Sequence, residues 1–140
     1  MANYYEACRT NYFRVKDPEA FKAAMARISG VAIVKEGEPQ ECRFAILGEE
    51  EGGGWPSDIV SASNPEETEE LDFMNFVSEH LADGEVAIFM GTGAEKLRYL
   101  TGYAQAFNNK GEYREVNISD IYKVAAELAP EGAEITRAEY

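Results

Sequence analysis

The sequence predicts an α+β fold, and three observations carry the prediction. Stretches of alternating polarity, such as Tyr12–Val15 and Cys42–Ile46, interleave with stretches of helical period, such as Phe21–Ile28. Helix-start residues recur where the period changes, at Asp17-Pro18-Glu19 and at Asn64-Pro65-Glu66-Glu67. The 140 residues are 45% apolar and 11% aromatic, which excludes a disordered chain. Area scaling gives about 7,200 Å² of folded surface against roughly 22,500 Å² unfolded, so a core forms without staples. One domain over residues 1–140 is expected.

The elements follow in chain order. Tyr4–Lys16 reads as a strand with Asn11, Phe13 and Val15 on one side. Asp17 then caps a helix, with Pro18 at its first position and Glu19 at the positive dipole end. Phe21, Ala24, Met25 and Ile28 share one face, and Gly30 ends it. Val31–Lys35 and Glu41–Gly48 form a hairpin around Glu36-Gly37-Glu38-Pro39. A loop from Glu49 to Ser63 carries Gly52-Gly53-Gly54-Trp55-Pro56, with Ile59 and Val60 as a brief edge strand. A second helix is predicted from Asn64 to about Ala82, with Glu67 at the capping-box position and Phe73, Phe76, Val77 and Leu81 inward. Val86–Met90 reads as a buried strand and Gly91-Thr92-Gly93 as a turn. Lys96–Phe107 and Glu112–Ile118 pair through Asn108-Asn109-Lys110-Gly111. Ser119 or Asp120 starts a last helix, Ile121–Ala129, which Pro130 stops, and a loose tail over about 131–140 is expected. The first six elements, βαββαβ, are those of a ferredoxin-like unit, extended here by a C-terminal β-hairpin and helix.

Charge is distributed unevenly. The net charge is −13, and the pI is about 4.5. From Phe44 to Glu95 there is no Lys or Arg, yet thirteen of the 26 acids fall there; the other thirteen balance the thirteen bases. This disfavours nucleic acid or an anionic membrane as a direct ligand and favours a basic partner. A helix dipole accounts for Glu66 and Glu67 but not for 52 residues without a countercharge. The candidate partner-binding residues are Glu49, Glu50, Glu51, Trp55, Asp58, Glu66, Glu67, Glu69, Glu70 and Asp72. A helix rises about 1.5 Å per residue and a duplex carries one charge per about 1.7 Å, so such acids imitate phosphate spacing. Trp55 is read either as an exposed interface anchor or as a lid over the sheet.

Catalytic and metal chemistry find little support. His80 is the single histidine and sits at a helix end, where the dipole favours a cation. Cys8 and Cys42 form no CxxC pair and are read as free thiols, a disulfide requiring neighbouring strands. No ligand spacing for zinc or calcium is present, so no catalytic residue, metal or cofactor is assigned. Gly91–Lys96 lacks the ending of a phosphate loop. Tyr4, Tyr5, Tyr12, Tyr99, Tyr103 and Tyr113 lie on predicted strands. With Arg9, Arg14, Arg98 and Arg114 they offer an alternative, a sheet face that binds a small nucleotide-like ligand. No apolar h-region opens the chain, and no apolar run reaches 18 residues, so a cytoplasmic protein is expected.

Two stretches, Arg9-Thr10-Asn11-Tyr12-Phe13-Arg14-Val15 and Glu95–Ala104, resemble small acidic proteins of bacteriophages and integrated mobile elements. That resemblance implies an anti-defence role of the anti-CRISPR kind in a bacterial host and carries over no functional residue. The leading expectation is therefore a non-enzymatic acidic protein, a DNA mimic in effect, that blocks a nucleic-acid-handling host protein. The alternatives are a nucleotide-signal sponge and a host protein-interaction domain. Oligomeric state is open, a homodimer included.

Overall fold

Alternation and capping place most elements where the sequence predicts them. The computed structural model describes residues 4–37, 41–49, 54–95 and 98–138. In chain order the elements are β1 (Tyr4–Thr10), α1 (Pro18–Met25), β2 (Val31–Glu36), β3 (Arg43–Gly48), β4 (Asp58–Val60), β5 (Thr68–Glu70), α2 (Phe73–Ser78), β6 (Val86–Glu95), β7 (Tyr99–Asn108), β8 (Tyr113–Asn117) and α3 (Ile121–Ala125). Single 3₁₀ turns, Ile118–Asp120 and Ala126–Leu128, flank α3. Six strands make one antiparallel sheet in the order β2-β3-β1-β6-β7-β8, and β4 and β5 make a separate two-stranded ribbon. The architecture is α+β. No helix among the described residues is long and apolar enough to cross a membrane.

Helix α1 begins as its sequence dictates. The Asp17 carboxylate accepts from the Glu19 and Ala20 amides, and Pro18 occupies the first turn. Phe21, Ala24 and Met25 then face the sheet. They pack with Phe73 and Val77 of α2 against Phe44 and Ile46 of β3 and Ala87 and Phe89 of β6. Both helices thus cover one sheet face. Strand β6 alternates accordingly, burying Ala87, Phe89, Gly91 and Gly93 and exposing Val86, Met90 and Thr92.

Strand β1 is shorter than Tyr4–Lys16, for a definite reason. Arg9 pairs with Leu47, but Phe13 pairs with Phe44. Four steps on one chain therefore match three on the other, which is a β-bulge. Side chains fill the missing ladder positions. Thr10 Oγ1 accepts from the Ile46 amide at 2.8 Å, and Asn11 Oδ1 accepts from the Ile88 amide at 2.8 Å while its Nδ2 donates to the Val86 carbonyl at 3.1 Å. Asn11 thus serves the backbone instead of joining the apolar face of Phe13 and Val15.

Two further expectations are corrected. Gly91-Thr92-Gly93 is not a turn: β6 runs through it to Glu95. A Cβ on Gly91 would lie 2.5 Å from the Tyr103 ring of β7, so glycine marks close packing there instead of chain reversal. Nor does a helix start at Asn64. Asn64 Oδ1 accepts from the Glu66 amide, its carbonyl accepts from the Glu67 amide, and the chain turns into β5. Four glutamates at helical spacing would repel one another on a helix, whereas a turn and ribbon spread them. The cap of α2 is Asp72, eight residues later, accepting from the Asn75 amide.

The C-terminal helix is also shorter than Ile121–Ala129, α3 proper ending at Ala125. The tail turns back on it: the Ala138 amide donates to the Tyr122 hydroxyl at 2.8 Å, and Arg137 lies over the Tyr122 ring. Cys8 and Cys42 are free and half-buried. By the register Cys8 stands beside Gly48, six residues along β3 from Cys42, which is about 20 Å of strand and too far for a bridge.

His80 is half-buried between Phe21 and Phe76, at ring separations of 5.7 and 5.3 Å. Burial lowers its pKa, with Lys16 acting the same way and Glu79 and Asp17 opposing. Burial thus outweighs the helix-end preference for a cation. The unfolded chain binds this proton first as pH falls, so the contribution of His80 to stability is constant above about pH 6.5 and declines below it. Urea midpoints across pH 5–8 should show this slope, and His80→Gln should flatten it; an unchanged slope in the variant would assign the decline to the carboxylates.

Candidate interaction surface

The β4–β5 ribbon presents the acidic residues. Its inner strand is anchored: Ile59 is buried in the core, the Val60 amide donates to the Arg27 carbonyl at 2.9 Å, and Arg27 Nε donates to the Val60 carbonyl at 3.0 Å. Its outer strand is free. All three residues of β5, Thr68, Glu69 and Glu70, are exposed. The ribbon is closed at one end by the Ser61 amide on the Glu67 carbonyl and at the other by the Leu71 amide on the Ser57 carbonyl, both at 2.9 Å.

Asp58 stands directly opposite Glu70 across this ladder. Directly opposed like charges destabilise a strand pair. Glu66 and Glu67 occupy the exposed tip. None of Asp58, Glu66, Glu67, Glu69 or Glu70 makes an ion pair with another described residue. Glu49 joins the same end of the molecule, its amide donating to the Gly30 carbonyl at 2.9 Å, while Gly30 and Asp58 line one depression. Asp72 is also exposed, but its carboxylate is engaged as the α2 cap. Glu50 and Glu51 lie outside the described residues.

Three other acids of the base-free segment are engaged elsewhere, two of them by arginine. Glu85 accepts from the Arg14 amide at 2.8 Å and approaches its guanidinium at 4.0 Å, and Glu95 pairs with Arg98 at 3.6 Å. Asp83 accepts from Asn109 at 2.7 Å. The ribbon and its surroundings therefore hold most of the segment's acids without an ion pair, Glu79 and Asp83 being the others among the described residues.

Trp55 lies inward. It stacks on Phe73 at 5.4 Å and meets Phe89 edge-on at 5.4 Å, pinning the chain that enters β4. Its Nε1 is buried without a completed hydrogen bond. The nearby Tyr103 hydroxyl is pushed up to about 12 by burial, then by Glu6 and Cys8, against a smaller pull from the indole N–H. Trp55 thus acts on the surface from beneath, by holding the ribbon.

Among the described side chains, the Tyr and Arg residues of the alternative are distributed over several places. Arg14 and Arg98 are the partners of Glu85 and Glu95. Tyr103 lies over Gly91 on the helix-covered face, and Tyr113 stacks on Phe107 at 5.3 Å. Tyr4, Tyr5 and Tyr99 lie on β1 and β7, and Tyr12 lies 6.0 Å from the Arg9 guanidinium.

The sheet face away from the helices is instead aliphatic and open. The register sets Leu47, Arg9, Met90, Ala104 and Val116 in one row and Ala7, Thr92 and Gly102 in the next. They line a groove of about 750 Å³. Sequence reading missed this groove because a turn at Gly91–Gly93 interrupts the alternation Met90, Thr92, Ala94 that would have disclosed it. No protein-family model, no curated protein and no solved structure matches the chain.

Proposed function

We propose that the chain is a non-enzymatic acidic binding protein that occupies the nucleic-acid-binding surface of a basic host protein. The observation that carries this reading is the ribbon, on which Asp58 faces Glu70 and Glu66, Glu67 and Glu69 are exposed with no ion pair among the described residues. A surface shaped by stability alone would intersperse bases among such acids. Extended backbone rises about 3.3 Å per residue, close to the roughly 3.4 Å per phosphate along one strand of a duplex. The resemblance to phage and mobile-element proteins supports an anti-defence setting, with a nucleic-acid-guided effector as the target class.

The order β2-β3-β1-β6, with both helices on one face, supports reading the first six predicted elements as a ferredoxin-like unit. On that reading β4–β5 is an insertion between its third strand and second helix, and β7–β8 an extension. Function then sits on the insertion.

The test is displacement of a labelled DNA duplex from a CRISPR effector recovered with the chain from host lysate. Glu66, Glu67, Glu69 and Glu70 are replaced together by Gln. Four exposed charge contacts at roughly 0.5 kcal/mol each predict about thirtyfold weaker displacement and a flatter salt dependence. Displacement that is unchanged in affinity and salt slope would refute the reading. The fold provides an internal control: Glu70→Gln alone removes the repulsion with Asp58 and should raise the thermal midpoint slightly.

A further inference from the structure

The C-terminal fifth of the chain lies outside the core. From Gly111 to Ala138 no residue is buried, although Val116, Ile118, Ile121, Val124 and Leu128 lie there, Leu128 at 90% exposure. Ile121, Val124 and Leu128 follow helical spacing and form one apolar stripe. The accessible surface of the chain is 9550 Å², about 2,300 Å² above the roughly 7,200 Å² that scaling gives for a compact monomer of this mass. One molecule therefore carries two apolar surfaces lacking a cover, the C-terminal stripe and the open-face groove.

These surfaces suit each other in shape and sign. The groove floor is made of small residues, Ala7, Gly102 and Ala104, between Met90 and Val116. Ile118 already lies over Gly102, where an added Cβ would come 3.5 Å from its own Cβ. The alternation of β1, β6, β7 and β8 places Arg9 and Arg114 on this face and no carboxylate, in a chain of net charge −13. The segment 119–138 carries four acids, Asp120, Glu127, Glu131 and Glu134, against Lys123 and Arg137.

We infer that the stripe Ile121–Leu128 of one copy seats in the open-face groove of a second copy, and reciprocally, about a two-fold axis. The match is self-complementary because both halves belong to the same chain, as an isologous interface requires. Exposed apolar side chains stand on both halves, Ile121, Val124 and Leu128 on the stripe and Met90, Val116 and Ile118 along the groove, and the bases Arg9 and Arg114 on the groove face complement the acidic segment. A standard interface buries roughly 800 Å² per partner. The interface lies on the sheet face opposite the helices and is independent of the acidic ribbon.

Light scattering after gel filtration of the full chain tests this, from about 1 to about 100 μM, a span that covers micromolar dissociation constants. The expected mass is about 31 kDa, twice the 15.5 kDa of one chain. Val124→Asp with Leu128→Asp removes the stripe, and Ala104→Arg separately fills the groove. Each should give a 15.5 kDa species with unchanged far-UV circular dichroism, since none of the three residues is buried. A wild-type chain that stays at 15.5 kDa throughout overturns the inference and leaves the groove to a different partner. A dimer that survives both variants also overturns it, in favour of another contact such as pairing along β8.

Discussion

Phe89→Ala is expected to leave the chain close to unfolding at 25 °C. Phe89 is fully buried and meets three aromatic rings, Trp55 at 5.4 Å, Phe73 at 6.2 Å and Phe107 at 5.8 Å. Its removal loses the transfer free energy of the ring and leaves a cavity bounded by rings that cannot all collapse inward. Such truncations cost about 3–5 kcal/mol, against a total of roughly 5–15 kcal/mol for a domain. The damage extends to the surface that carries the proposed function, because Trp55 leads directly into β4. The variant should therefore be cut faster by protease at the ribbon tip, residues 61–67, under conditions where the sheet survives. Urea unfolding followed by circular dichroism measures the first effect, and limited proteolysis the second. A loss below about 1.5 kcal/mol would mean that the neighbouring rings repack, contrary to a close-packed interior.

Loss of the Thr10 and Asn11 side-chain bonds is expected to be the next most costly change. Thr10 is buried, and its hydroxyl takes the Ile46 amide at 2.8 Å while donating to the Asn11 carbonyl at 2.9 Å. Thr10→Val keeps the shape and strands a buried amide, at about 1–3 kcal/mol. Asn11→Ala strands the part-buried Ile88 amide on the opposite neighbour, at the lower end of that range, and frees the exposed Val86 carbonyl to water. The two share one bulge, so their effects are expected to be non-additive. Amide exchange should accelerate at Ile46 in the first variant and at Ile88 in the second, whereas Thr10→Ser should restore Ile46. Retained protection at those amides would mean that water replaces the side chains. On this account Thr10-Asn11 is a structural splice between three strands.

Where local chemistry decides, the sequence was legible. Asp17-Pro18-Glu19 starts a helix because its cap and its missing amide are local properties, and the α1 face of Phe21, Ala24 and Met25 follows from helical period alone. The β2–β3 and β7–β8 hairpins follow from alternation around turn residues. The ribbon was misread for the opposite reason. Asn64-Pro65-Glu66-Glu67 has the local grammar of a helix start, but Asn64 satisfies the following amides as a turn, and β4 offers β5 a ladder. Gly91 has the local signature of a turn residue, because the Tyr103 ring that requires a missing Cβ lies twelve residues away in sequence.

By itself, then, the sequence determined an α+β chain with helices and hairpins at nearly their observed positions and a base-free acidic segment from Phe44 to Glu95. Charge is a sum over residues, and caps and periods are short-range, so both survive without coordinates. Only the tertiary structure decided that Arg14 reaches Glu85 across the fold while no described base pairs with Glu66, Glu67, Glu69 or Glu70; the Glu95–Arg98 pair is local, three residues apart. It alone turned Trp55 inward and left one face of the sheet uncovered. Those outcomes depend on register and packing between segments far apart in the chain, and no local pattern encodes them.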